Sequence, residues 1–143
     1  MVKFRYLPQT ADMRFRAYGS NFKEAFENAA LALLNVMLDL RKIKKDSADE
    51  SSMQINESAY SKEDLVWFTL QDILSKIDSM KLNAYSFKIK SIKKGRKLTL
   101  KGKLSYKRTR NNYAMLSVKA VTPHDLKIEQ KKGGFAIQVV VDV

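Results

Sequence analysis

Two rhythms of apolar and polar residues divide the chain. "KFRYL" (Lys3 to Leu7) and "MRFRAY" (Met13 to Tyr18) alternate with period two, as half-buried strands do, and the turn-like "PQTAD" lies between them. "NFKEAFENAALALLNVML" then sets Phe22, Ala25, Phe26, Ala29, Ala30, Leu33, Leu34 and Met37 on one helical stripe, with Asn21 and Glu24 spaced as a capping box. "SKED" (Ser61 to Asp64) is a second capping signal, and Trp67, Leu70, Ile73, Leu74 and Ile77 form the stripe behind it. The period returns to two in "YSFKIKSI", "KLTLKGKLSY", "MLSVKAV", "LKIEQ" and "GFAIQVVVDV". "KKGR" (Lys93 to Arg96) and "KKGG" (Lys131 to Gly134) read as hairpin turns, Met53 to Asn56 as a short strand, and the charged "RKIKKDSADESS" (Arg41 to Ser52) as an exposed loop. Two amphipathic helices among about seven strands predict an α+β fold with a largely antiparallel or mixed sheet.

Length and composition narrow this picture. A chain of 143 residues with 45% hydrophobic and 29% charged residues suits a single domain over 1–143 that needs no disulfide or structural metal. No Cys is present, which removes thiolate nucleophiles and Cys-ligated zinc. No apolar run reaches the roughly 20 residues of a membrane span, and the N-terminus lacks the apolar core of a signal peptide, so a cytoplasmic protein is expected.

The net charge of +12 is unevenly placed. Between Asp78 and Asp125 lie 46 residues with 13 Lys and Arg and no acid, so the whole excess sits in a third of the chain. Lys93, Lys94, Arg96, Lys97, Lys107, Arg108 and Arg110, with Tyr106 among them, are candidates for contact with RNA or another acidic partner, through phosphates and base stacking. The competing reading is a solvated outer sheet face whose lysines discourage edge pairing.

Enzyme signatures are missing. His124 stands beside Asp125 in "TPHDL", read as a Pro-marked turn, but no nucleophile elbow accompanies the pair, and no glycine pattern forms a phosphate cradle. The acids at the strand ends carry more. Asp12 opens one strand on the parity of Arg14 and Arg16, and Asp142 closes another on the parity of Ala136, Gln138 and Val140. Were those strands neighbours, two carboxylates, nearby carbonyls and the terminal carboxylate of Val143 would offer oxygen ligands to a hard cation such as Ca²⁺. The alternative is an ion pair of Asp142 with Arg14 or Arg16.

"YLPQTADMRFRAYG" (Tyr6 to Gly19), "EAFENAA" (Glu24 to Ala30), "VMLDL" (Val36 to Leu40), "VKAVTPHDLKI" (Val118 to Ile128) and "FAIQVVVDV" (Phe135 to Val143) resemble, in order and from end to end, the motifs of the archease family. The resemblance implies an archease-like fold and a non-catalytic, metal-binding cofactor that activates the RtcB-type tRNA-splicing RNA ligase, promoting guanylation of the ligase and its multiple turnover. It implies a metal, Ca²⁺ or another divalent cation, on Asp12, Asp142 and Val143, with Gln9, Thr10 and His124 adjacent. The implied partners are the ligase and tRNA, reached directly or through the ligase, with no membrane. In the family a His precedes Thr-Ala-Asp where this chain has Gln9, and a further His upstream of Val-Lys-Ala-Val has no counterpart in "RTRNNYAML". The runner-up is a stand-alone RNA-binding module acting through the basic Lys88 to Arg110 hairpin region.

Overall fold

The computed structural model describes residues 2–7 and 12–143, among which seven strands and three helices are found. Strands β1 (Phe4–Leu7) and β2 (Met13–Gly19) precede helix α1 (Phe22–Met37) and the short α2 (Leu40–Lys45). Strand β3 (Glu50–Ala59) leads to α3 (Lys62–Met80), followed by β4 (Asn83–Lys94), β5 (Leu98–Lys107), β6 (Ala120–Lys131) and β7 (Gly134–Asp142). They form two antiparallel sheets, ordered β1-β2-β7-β6 and β3-β5-β4.

Between the sheets lie the long helices. α1 packs on β1, β2 and β7 from one side and on β4 from the other, while α3 touches β6 of the first sheet and β3 and β5 of the second. This explains why α1 buries more than one stripe: Ala32 and Val36 are buried beside Phe26, Leu33 and Leu34. Both helices start on the caps the sequence predicts. The Asn21 side chain accepts the Glu24 N–H at 2.8 Å, and Glu24 reaches back to the Ser20 N–H at 2.9 Å. Ser61 accepts the Asp64 N–H at 3.0 Å. α3 also covers the edge strand β6: the Trp67 indole donates to the Val121 carbonyl at 2.9 Å, and Gln71 Oε1 accepts the Val121 N–H at 2.9 Å. Those bonds satisfy main-chain groups that have no strand neighbour.

Glycine matters where layers touch. A Cβ at Gly19 would lie 2.3 Å from the Ala25 nitrogen, so the entry of α1 can approach the end of β2 only because no side chain intervenes. At Gly102 in β5, the Phe87 ring occupies the space a Cβ would take, 2.6 Å from Cζ.

Four local expectations change. Arg41 to Ser52 is not all loop, since α2 buries Leu40 and Ile43 and β3 begins at Glu50. The short strand at Met53 to Asn56 is a ten-residue strand. Met115 to Lys119 is not a strand: only an Ala114–Leu38 bridge precedes β6, and Met115 and Leu116 are exposed. "TPHDL" is not a separate Pro-marked turn but an irregularity inside β6, where pairing with β7 jumps from Thr122–Val140 to Lys127–Gln138.

Candidate metal centre

β2 and β7 are neighbours, antiparallel from Gly19–Phe135 to Met13–Val141. Asp12 and Asp142 each stand one residue beyond that last pair, at the same end of adjacent strands. Met13, Phe15 and Ala17 share a face with Ile137, Val139 and Val141, and all but the half-buried Met13 lie in the core. Asp12, Arg14 and Arg16, with Gln138, Val140 and Asp142, belong to the other face. Opposed residues of an antiparallel pair hold their Cβ atoms about 4.5–5.5 Å apart, and one further step of this register would put Asp12 opposite Asp142.

The ends of these strands are fixed from both sides. Asp142 pairs with Ala120 of β6, and its carbonyl accepts the Lys119 N–H at 2.7 Å. Val143 packs against the core with its side chain. Both acids are half-buried.

Neither arginine of β2 neutralises them. Arg14 Nη2 lies 3.2 Å from Asp125 Oδ2, and Arg16 Nε donates to Gln138 Oε1 at 3.1 Å. Gln138 Nε2 in turn donates to the Asp125 carbonyl at 2.9 Å, tying the irregular stretch of β6 across the sheet. Among the described residues, Asp12 and Asp142 have no ion-pair partner. Two such carboxylates repel unless a cation joins them, and an all-oxygen donor set suits Ca²⁺ or another hard divalent ion. No group of three or more His, Cys, Asp or Glu side chains exists among the described residues, so such a site would draw its remaining ligands from main-chain oxygens such as those of Val143.

His124 lies in the same region. Its Nε2 is 3.4 Å from Asp125 Oδ2, but the imidazole is 83% exposed and Asp125, at φ 58°, is engaged with Arg14. Thr122, on the same strand, donates its hydroxyl to the His124 carbonyl at 3.3 Å and not to the imidazole. Gln9 and Thr10 lie outside the described residues.

The basic candidates do not form one patch. Lys93 and Lys94 end β4, and Arg96 and Lys97 lie in the turn that follows it. Lys107, Arg108 and Arg110 sit at the other end of β5, about 30 Å away at some 3.3 Å per residue. There Lys107 Nζ is 3.7 Å from Glu50 and donates to the Asp46 carbonyl at 2.8 Å, and Arg108 donates to Ser51 Oγ at 3.3 Å.

One polar cluster at that end escaped the sequence patterns. The Asp46 carboxylate accepts the Ala48 N–H at 2.8 Å, Tyr113 Oη at 2.7 Å, Thr109 Oγ1 at 2.9 Å and Asn111 Nδ2 at 3.0 Å. These bonds hold its carboxyl well below the usual range and push the Tyr113 hydroxyl up. They pin the irregular 108–117 segment beside a cleft of about 650 Å³ that Arg110, Lys81 and Met115 help to line. Its side-chain partners lie more than 60 residues away in sequence, beyond the reach of any local spacing rule.

Comparison with known proteins adds an independent line. Residues 4–143 match the archease protein family (MTH1598/TM1083). The chain is 35% identical to the protein archease of Sulfurisphaera tokodaii, with all of both chains covered. It is 32% identical to the protein archease of Methanosarcina acetivorans, covering 99% of this chain and 96% of that one. The solution structure of Methanobacterium thermoautotrophicum protein 1598 superposes with a TM-score of 0.78 at 29% identity, with 99% of each chain covered. The crystal structure of a Thermotoga maritima archease, described as a possible chaperone, gives 0.60 at 23% identity over 96% and 94% of the two chains, a likeness of fold. The chain belongs to the archease family.

Proposed function

We propose that this protein is a non-catalytic, metal-binding accessory factor that activates the RtcB-type tRNA-splicing ligase in the cytoplasm, promoting guanylation of the ligase and its multiple turnover. The observation that carries this reading is the adjacency of β2 and β7, which brings the acids of the two terminal motifs to one tip. Family membership supports the accessory role.

Asp12 and Asp142, with main-chain oxygen from Val143, would hold Ca²⁺ or a similar cation. Bound there, the ion would supply charge neutralisation and a fixed arrangement of the tip. The chain's own residues do the rest. The ladders on both sides of β7 set the position of Asp142, and the Arg14–Asp125 pair keeps a competing guanidinium away from the carboxylates. A tip ordered before encounter loses less conformational entropy on docking, which favours association with a partner's active-site mouth. The chemistry of end joining belongs to the ligase, and no residue of this chain is assigned a catalytic role.

Ligation of tRNA halves by the cognate ligase, followed with and without this protein, tests the proposal. The expected result is no ligation by this protein alone, many turnovers of the ligase in its presence, and loss of that stimulation in Asp12→Ala and Asp142→Ala. Equal ligase turnover with and without the protein would refute the role.

A further inference from the structure

The second sheet turns one face to the helices and the other away from them. Ile55, Phe87, Ile89, Leu100 and Leu104 are buried on the inner side. The outer side is built in rows by the register of β3, β5 and β4. Gln54, Lys103 and Lys88 make one row, and Asn56, Lys101 and Ser91 the next. Ser58, Thr99 and Lys93 follow toward the hairpin, and Lys90, at a register shift of β4, is exposed beside them.

The charge of this face is not compensated. Glu50, the acid in the same register, stands at the far end and faces Lys107. Among the described residues, none of Lys88, Lys90, Lys101 and Lys103 has a carboxylate partner. Lys88 and Lys103 are directly opposite each other, a like-charge pair that costs stability in an isolated sheet. Protection of a sheet edge explains lysines on β4, but β5 is the central strand, where Lys101 and Lys103 guard no edge. Lysines two apart on a strand recur at about 6.6–6.8 Å, a spacing that an extended chain of phosphates can follow.

An aromatic ring stands at the hairpin end of the same face. Tyr60 continues the outward parity of Gln54, Asn56 and Ser58, is 76% exposed, and has Lys97 Nζ 4.8 Å from its ring centroid. Lysines alone would suit any polyanion. An exposed ring in line with them, beside neutral amides able to pair with base edges, selects one that carries stackable bases.

We infer that the outer face of the second sheet binds single-stranded polynucleotide, with Lys101, Lys103 and Lys88 on its phosphates and Tyr60 stacked on a base. This surface lies across the helix layer from the Asp12–Asp142 tip, and its role does not depend on that of the tip. It also differs from the two clusters at the hairpin ends, because its centre is the middle of β5 and its third column comes from β3.

Fluorescence anisotropy of a labelled single-stranded RNA, titrated with the full chain over a series of salt concentrations and without any ligase, tests the inference. Single-stranded DNA of the same sequence identifies which source of the shared chemistry is preferred, and binding of either supports the inference. Replacing Lys101 and Lys103 together by Gln is expected to weaken binding and to flatten the salt slope by about 1.4, the share of two phosphate contacts on a single strand. Tyr60→Ala is expected to weaken binding roughly five- to hundredfold, and Tyr60→Phe to restore it, because stacking needs the ring and not the hydroxyl. All three side chains are exposed, and unchanged melting temperatures would show that the variants fold. Absence of binding at low salt, unchanged affinity and salt slope in the double variant, equal affinity for polyglutamate, or a preference for duplex RNA would each overturn it.

Discussion

The outer faces of the two sheets differ in the acids they set among their cations. On the first, Arg14 is matched by Asp125 and Glu129 by Lys131, Arg16 bonds to the neutral Gln138 with Arg5 opposite it, and Val140 is only 1% exposed although its parity points outward. On the second, lysines stand beside lysines and neutral side chains, and no acid answers them along the middle of β5. The first face mixes acids with bases and carries Asp12 and Asp142 at the ends of adjacent strands. The second has left its cations open across a whole surface. A face of mixed sign presents a weaker net field, whereas a field of one sign attracts its opposite and pays for it in self-repulsion. This difference underlies the two proposals, a cation for the one region and a polyanion for the other.

Breaking the layer that both faces share should have the largest effect on stability. Phe15, fully buried beneath the first sheet, is expected to cost about 3–5 kcal/mol on replacement by Ala, measured by denaturant unfolding. At temperatures where this variant is folded, both surfaces should keep their binding, because neither draws on the Phe15 side chain.

A smaller change sharpens the contrast on the first face. Asp125→Asn keeps a residue type that tolerates the left-handed backbone at φ 58° but removes the charge facing Arg14. For a half-exposed pair the loss of stability should not exceed about 1 kcal/mol. The informative reading is Ca²⁺ affinity. It should fall a few fold, because an unpaired Arg14, two residues from Asp12, then competes for the tip carboxylates.

The smallest effect runs the other way. Lys103→Glu converts the Lys88–Lys103 pair into opposite charges and should stabilise the chain by roughly 0.2–1 kcal/mol while lowering its affinity for single-stranded RNA. Stability that falls, or RNA binding that survives, would remove the reason for treating the two faces differently.

What was legible in the chain followed from local periodicity. The stripes of α1 and α3, their caps at Asn21 and Ser61, and the parity of Phe15 and Val139 against Arg14 and Val140 can all be read from neighbouring residues. The sheet order cannot, because pairing of β2 with β7 joins residues more than a hundred positions apart; only the two acids at corresponding strand ends hinted at it. α2 was hidden because six residues with two buried positions carry too little pattern to stand out from a charged run. Pro123 and Asp125 imitated a turn. β6 instead runs through them, since Arg14 and Gln138 hold the irregular stretch from across the sheet. Conversely, Met115 and Leu116 alternate with polar residues as strand residues do, yet they find no sheet partner and stay exposed. The lysine alternation of β5 was visible, while its neighbours Gln54, Asn56 and Tyr60 were invisible as such until β3 was paired beside it.

Calorimetric titration of Ca²⁺ into the wild-type chain and into Asp12→Ala and Asp142→Ala tests the central claim most directly. A binding heat in the wild type that is largely abolished in either variant is the predicted result. The same heat in all three proteins, or none in the wild type, would contradict a shared cation at the joined ends of β2 and β7.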